Sequence, residues 1–252
     1  MISTSKFAAA VQFDPKRGDV EGNLRTAQQL TFEAAGKGAR IIVLPELCVS
    51  GYAMTSPREA SLCAQSSSGY QSQRFSEVAR AHGCHIIFGY VEVYEGVLYN
   101  SAACIGPTGA VVANTRKHNL YGRDFLWASP GENLHPIVVT NEGRLGILVS
   151  RDVNNRYRTS HPFFKDGQSF YRRGSVDTIA LSGNWNAAGG YPPADWVDLA
   201  ESLGTNVIVS NRVGQDVEMK FIGGSCVIDR NLVVWTNGSS LVNEAVVGGV
   251  LL

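Results

Sequence analysis

Three polar residues stand at the ends of apolar runs, and their types could perform acyl chemistry if brought together. Glu46 follows Ile41-Ile42-Val43-Leu44 and Pro45, Lys117 closes the run over 110–116, and Ser150 follows Gly146-Ile147-Leu148-Val149. A buried strand ending in a polar residue delivers that residue to the rim of its sheet, where ligands bind in layered α/β proteins. There a carboxylate can take a proton, a fixed ammonium can hold an oxyanion, and a nucleophile-sized residue can attack carbon. Each residue alone has an ordinary explanation: a solvated acid after a proline, a surface lysine beside Arg116, a small serine satisfied by backbone. The combination is what points to a site.

The elements that must position these residues alternate along the chain. Residues 7–13 form an apolar run closed by Asp14-Pro15, as a buried strand closed by a turn does. Asn23 can cap a helix in which Leu24, Ala27, Leu30, Phe32 and Ala34 recur near helical spacing until Gly36 and Gly38 stop it. The β-branched run at 41–44 lacks polar alternation and reads as a strand covered on both faces. A helix is expected over 72–82 and a strand over 85–94. Between Tyr99 and Lys117 two strands should meet at the turn Gly106-Pro107-Thr108-Gly109. Further strands are expected around 135–140, 144–150, 177–182 and 206–210, with a helix over 195–203. A last hairpin over 221–236 would turn near Asp229-Arg230-Asn231. No fixed-period repeat and no Pro/Ser-rich linker interrupts the series, so residues 1–252 read as one α/β domain, two β-layers flanked by helices.

Composition narrows the function. With 252 residues, 44% of them hydrophobic and 17% charged, the chain has the material for a core. Lys plus Arg number 22 against 22 Asp plus Glu, which removes the electrostatic reason to bind nucleic acid or an anionic membrane. A small neutral or polar ligand fits better. The polar stretch Met1 to Lys6, and the interruption of the next apolar run by Gln12 and Asp14, give neither a secretory leader nor a membrane span, so a cytoplasmic protein is expected. The five cysteines (Cys48, Cys63, Cys84, Cys104, Cys226) contain no CxxC pair and read as free buried thiols. Cys84 lies between His82 and His85, but no second ligand pair follows, so no metal is expected.

The order and spacing of the three strand ends resemble the nitrilase superfamily of carbon–nitrogen hydrolases, which present Glu, Lys and Cys at corresponding positions. Matches run along most of the chain: Ala9-Ala10-Val11-Gln12, Leu44-Pro45-Glu46, Arg116-Lys117, Pro130-Gly131, Asn184-Trp185, Asn211-Arg212-Val213-Gly214 and Phe221-Ile222-Gly223-Gly224-Ser225. The resemblance implies a four-layer αββα sandwich, often dimerised or further assembled, that hydrolyses a small non-peptide amide, nitrile or carbamoyl group without cofactor. It implies Glu46 as base, Lys117 as oxyanion stabiliser and residue 150 as nucleophile. The Arg151 backbone N–H would share the oxyanion, Asn184 and Trp185 would line the pocket, and Asp124 would support Lys117 and orient substrate. The apolar end Ala245 to Leu252 would pack in a subunit interface.

Two departures bear on this. Ser150 stands where the superfamily has cysteine. A thiol needs modest help to ionise, whereas a serine hydroxyl is far less acidic and a lone glutamate is a weaker base than the imidazole of serine triads. Acylation should be crippled, and an intact remainder of the site favours a silencing Cys-to-Ser replacement over a natural serine variant or a non-catalytic binding homologue. Asp124 stands where many members have glutamate; being one methylene shorter, it requires either an inward shift of backbone or a water bridge to Lys117. After Ser150 the chain reads Arg151-Asp152-Val153-Asn154-Asn155-Arg156, unlike the Trp-Glu continuation of true nitrilases, so an amide is expected with its identity open. The segment 157–174, with His161, Phe163, Phe164, Phe170, Tyr171, Arg172 and Arg173, reads as a surface loop, with a substrate-reading lid as the alternative.

Overall fold

The computed structural model describes residues 7–132, 135–153, 171–186, 193–236 and 242–249. With strands numbered along the chain, the first sheet holds β1 (Phe7–Gln12), β2 (Ala39–Val43), β3 (His85–Tyr94), β4 (Val97–Ile105), β5 (Val111–Arg116) and β14 (Glu244–Gly249), in the order β14-β1-β2-β3-β4-β5. The second holds β6 (Ile137–Thr140), β7 (Gly143–Val149), β8 (Thr178–Ser182), β9 (Asn206–Ser210), β12 (Cys226–Ile228) and β13 (Val234–Thr236), in the order β13-β12-β9-β8-β7-β6. A separate two-stranded ribbon pairs β10 (Val213–Asp216) with β11 (Met219–Ile222). Helices α1 (Val20–Gly36) and α3 (Tyr70–His82) cover one sheet and α4 (Pro193–Leu203) the other, while α2 (Pro57–Ser61) is a single short turn.

The layering follows from which faces are apolar. One side of the first sheet, through Ile42, Ile86 and Phe88, packs on Leu24, Leu30, Phe75 and Val78 of α1 and α3. Its other side meets the second sheet face to face, Ile41, Val43 and Ile87 packing with Leu145, Ile147, Val149 and Ile208. The outer face of the second sheet, through Ile179, Leu181 and Val207, takes Trp196, Ala200 and Leu203 of α4. That is the αββα sandwich, and it explains why β2, β7 and β9 carry apolar residues on both faces. Full burial of one such aliphatic side chain contributes about 1.5–3 kcal/mol, so the runs that deliver the site also hold the layers together.

The directions of the strands decide where their ends meet. β2 is parallel to β1 and β3, and β5 returns to that direction through two antiparallel steps, β3 to β4 and β4 to β5. β7 and β8 are parallel to each other. The residues following β2, β5, β7 and β8 are therefore free to gather at carboxyl-terminal strand ends, and two bonds tie the sheets together there. Ser182 Oγ donates to the Leu44 carbonyl at 2.7 Å, and the Glu46 N–H to the Gly183 carbonyl at 3.1 Å.

Several expectations are corrected. Helix α1 starts at Val20 and is capped by Asp19, whose carboxylate accepts the Gly22 N–H; Asn23 is instead buried and committed to Lys16 and the Val49 carbonyl. The hairpin expected over 221–236 is divided, because Gly223 and Gly224 take left-handed conformations with φ of 65° and 76° and end β11. The second half alone forms the hairpin β12–β13. Apart from these corrections, β14 holds residues 245–249 of the apolar carboxyl end and lies antiparallel to β1 as an edge strand of the first sheet.

Of the segment 157–174, residues 157–170 fall outside the described residues. Tyr171 is no surface residue: its hydroxyl accepts the Ile147 N–H and donates to the Pro136 carbonyl, each at 2.9 Å, pinning the ring over Gly146. All five cysteines are free and buried. Among the described residues no group of His, Cys, Asp and Glu is placed to hold a metal, and no helix is long and apolar enough to cross a membrane.

Candidate active site

Lys117 is the centre of the constellation. It follows β5, its backbone N–H donating to the Asn100 carbonyl at 2.8 Å and its carbonyl accepting from Gly131 at 2.8 Å, so the residue is locked at both ends. The ammonium is 1% exposed and lies 2.6 Å from Glu46 Oε1 and 2.6 Å from Asp124 Oδ2. Asn100, in the middle of β4, donates one side-chain amide to both acids, at 2.7 Å to Glu46 and 3.1 Å to Asp124. Asp124 is carried in by a 3-10 turn over Gly122–Leu126, where it also accepts the Tyr121 N–H at 3.0 Å. The contact of this shorter acid to Lys117 is direct, without a water bridge between them.

The electrostatics follow from burial. Desolvation opposes the charge on Lys117, but the carboxylates of Asp124 and Glu46 more than reverse it and hold the ammonium well above the ordinary lysine range. Burial pushes the Glu46 carboxyl up from its ordinary value of 4.5; the lysine opposes that rise and Asp124 adds to it. Among the described residues Glu46 Oε2 has no hydrogen-bond partner, while Oε1 accepts from both Lys117 and Asn100.

Ser150 follows β7 with φ of +45°, in the left-handed region that a residue with a Cβ enters at a cost of about 1–3 kcal/mol, and opens a 3-10 turn over Ser150–Val153. That turn is fastened to the lysine loop. The buried carboxylate of Asp152 accepts the His118 N–H at 3.1 Å and the Asn119 N–H at 2.8 Å, and lies 3.3 Å from His135 Nε2. Leu47, directly after Glu46, has φ of +50°, so two of the three strand ends turn sharply at the site.

A small cleft is lined by Lys117, Ser150, Arg151, Asn184 and Trp185 together with Tyr52, Tyr121 and Asn186. Glu46 and Asp124 stand behind its wall, reaching it through Lys117. Of the seven residues named from the sequence, five (Lys117, Ser150, Arg151, Asn184 and Trp185) line the cleft, and the other two, Glu46 and Asp124, are hydrogen-bonded to Lys117. Asn184 is buried, and among the described residues neither atom of its side-chain amide has a hydrogen-bond partner; such groups are rare in folded proteins unless a ligand or water completes them. Trp185 is held by Asn211, which accepts its N–H at 2.8 Å.

Asn100, Tyr52, Tyr121 and Asn186 were not anticipated. Asn100 had one readable signal, a lone amide in a strand otherwise running to Ala102-Ala103-Cys104-Ile105. Cys48, two residues beyond Glu46, does not line the cleft. It is fully buried, bonded through its backbone to Gly89, and burial drives its thiol far above the ordinary range.

Residues 7–161 match the model of the family described as carbon-nitrogen hydrolase, more than half of the chain. The chain belongs to the carbon–nitrogen hydrolases. This carbon–nitrogen hydrolase is 28% identical over 237 residues to a nitrilase of Pyrococcus abyssi, covering 94% of the chain and 86% of the relative. It is 29% identical over 184 residues to the omega-amidase of Danio rerio, covering 69% of the chain and 61% of the relative. It is 26% identical over 257 residues to the protein N-terminal amidase of Schizosaccharomyces pombe, covering 87% and 89%. Among solved structures it superposes on a Cys-to-Ser mutant of the Nesterenkonia amidase of the nitrilase superfamily with a TM-score of 0.76 at 19% identity, over 99% of this chain and 93% of that one. The αββα fold is shared.

Proposed function

We propose that this carbon–nitrogen hydrolase is built to cleave the C–N bond of a small non-peptide amide, and that Ser150 leaves it inactive or nearly so. The observation that supports this most is the placement of Lys117, 2.6 Å from each of two carboxylates and lining the cleft that Ser150 also lines. The amidases among the relatives favour an amide over a nitrile or an N-carbamoyl group.

With cysteine at residue 150, Glu46 would take the thiol proton as sulfur attacks the amide carbon. Lys117 and the Arg151 backbone N–H would hold the oxyanion. Collapse expels ammonia or an amine, which receives the proton from Glu46 and leaves a thioester. Glu46 then takes a proton from water as it attacks the thioester, and the acid departs with the thiol restored. Asp124 keeps Lys117 charged and placed, and the side-chain amide of Asn184, unpartnered among the described residues, offers N–H donors and a carbonyl acceptor to substrate. No step uses a metal or a cofactor.

The test is mass spectrometry of Ser150→Cys after incubation with mixed short-chain amides. An acyl mass on residue 150, with acid released, is expected; absence of both adduct and turnover across amides, nitriles and carbamoyl compounds overturns the hydrolase reading. A second reading, a non-catalytic binding protein using the same cleft, is favoured by the serine itself and would be supported by ligand capture without turnover in Ser150→Cys.

A further inference from the structure

A buried imidazole joins the strand ends that carry Lys117 and Ser150 without lining the cleft. Nδ1 of His135 lies 2.6 Å from the hydroxyl of Thr115, the buried residue of β5 just ahead of Lys117. Its Nε2 lies 3.3 Å from Oδ2 of Asp152, in the turn that Ser150 opens. The same carboxylate accepts the N–H groups of His118 and Asn119, which follow Lys117. Asn119 returns the tie, its side-chain amide donating to the Arg151 carbonyl at 3.1 Å. The chain on both sides of Lys117 is therefore fastened to the turn after β7. The His118 ring packs on that of His135, with centroids 4.5 Å apart.

The side chains of His135 and Asp152 are both fully buried, and a carboxylate at that depth needs hydrogens facing it. One facing Oδ2 places the proton of a neutral ring on Nε2 and leaves Nδ1 to accept from the Thr115 hydroxyl. Thr115 thus sets the tautomer. Hydroxyl, imidazole and carboxylate in this order would suit a nucleophilic triad, but Thr115 is buried and does not line the cleft, so the array holds rather than attacks.

We infer that His135 is a positioning residue: acting through Asp152, it fixes the separation of Lys117 from residue 150, and so the alignment of ammonium and nucleophile on one carbonyl. That role rests on the hydrolase reading above. Lys117 follows a strand of the first sheet and Ser150 a strand of the second. Apolar contact between the layers is non-directional and does not set their offset to a fraction of an ångström; directional polar contacts do. The bonds from Ser182 to Leu44 and from Glu46 to Gly183 register β2 on β8. The array of Thr115, His135 and Asp152 does the same for β5 on β7.

The test compares two replacements of His135 in the Ser150→Cys protein. A glutamine amide reaches the place of Nε2 and can still donate to Asp152, whereas an asparagine amide reaches only the place of Nδ1 and keeps Thr115 alone. Iodoacetamide is the probe, with alkylation of residue 150 followed by peptide mass spectrometry, because the thiolate forms where residue 150 stands against Glu46 and Lys117. His135→Asn should slow that alkylation by about tenfold or more, and His135→Gln should bring it back to within about threefold, at similar urea midpoints. With pentanamide as substrate, kcat should fall in the same order while KM stays within about twofold. Equal alkylation rates in the two variants, or rates that simply follow the urea midpoints, overturn the inference. Where neither variant folds, the isosteric Thr115→Val decides: it removes the donor that sets the tautomer and should slow alkylation by about threefold, and an unchanged rate overturns the inference. No alkylation of residue 150 in Ser150→Cys itself overturns the inference together with the hydrolase reading. Alkylation without hydrolysis of any amide removes the hydrolase reading alone, and the comparison of His135→Gln with His135→Asn still decides whether His135 positions residue 150.

Discussion

Asp124 reaches Lys117 directly, at 2.6 Å, from the turn over Gly122–Leu126, with a side chain one methylene shorter than glutamate. The acid is fully buried and spends both oxygens, on Lys117, Asn100 and the Tyr121 N–H. There is no slack for the longer residue. Asp124→Glu is expected to overpack the cluster and lose about 1–3 kcal/mol of stability in urea denaturation. Asp124→Ala leaves Lys117 paired with Glu46 but removes the acceptor for the Tyr121 N–H and one of the two acceptors of Asn100, and should lose about 1–3 kcal/mol. Asp124→Glu at full stability would mean that the turn is pliable and does not set the lysine's position.

The pH dependence of Ser150→Cys should report Glu46. Its carboxyl is raised above 4.5 by burial, with Asp124 adding to the rise and Lys117 opposing it. The base form is thus lost on acidification at a pH above the ordinary carboxylate range. A profile of kcat/KM against pH should show an acidic limb centred above 4.5. Adding Asp124→Asn removes a neighbouring negative charge and should move that limb to lower pH. Movement to higher pH would contradict the assignment of the limb to Glu46.

What could be read from the chain alone was the set of strand ends. Glu46 and Ser150 each follow a run of buried residues, and a polar residue after such a run has one direction to go; Lys117 follows β5, in which only Thr115 is buried, and was legible from its place at the strand end alone. The partners that tune them were harder to read. Asn100 is mid-strand and meets acids 54 and 24 residues away, a pairing that exists only once β4 lies between β3 and β5. Asn23 carries a strong N-cap signal, yet tertiary bonds to Lys16 and Val49 claimed it and Asp19 took the cap. The ribbon of β10 and β11 escaped because its two strands are four residues each, too short to show alternation.

Gly89 offers a test of how closely Glu46 must be held. A Cβ at this position in β3 would sit 2.5 Å from the Leu47 nitrogen and 2.6 Å from the Glu46 Cα, both backbone atoms that cannot rotate away. Gly89→Ala therefore has to displace the turn at Pro45-Glu46-Leu47 or bend the sheet. The expected outcome is a loss of about 1–3 kcal/mol in denaturant stability. In Ser150→Cys it should come with a fall in kcat that cannot be recovered by saturating substrate, since a base moved by a fraction of an ångström misses its proton. Normal kcat in a destabilised Gly89→Ala protein would show that the Glu46 carboxylate is positioned by Asn100 and Lys117 rather than by its backbone.

Glu92 sits one strand away and gives the chain an acid-sensitive support. It accepts from Ser101 at 2.7 Å and takes the Arg116 guanidinium through both oxygens at 2.9 Å, and Arg116 immediately precedes Lys117. Burial alone would raise this carboxyl, but the hydrogen bonds from Arg116, Ser101 and Asn114 outweigh it and hold the group below 4.5. A carboxyl depressed in the folded state contributes stability that is complete above its unfolded value and is lost as the pH falls through the folded one. The stability advantage of the unsubstituted chain over Glu92→Gln should accordingly be full at pH 7 and shrink progressively below 4.5. Urea titrations of both proteins at pH 7, 5, 4 and 3 measure it; a difference that stays constant through that range would assign the loss to altered packing around Ser101 instead of to the charge on Glu92.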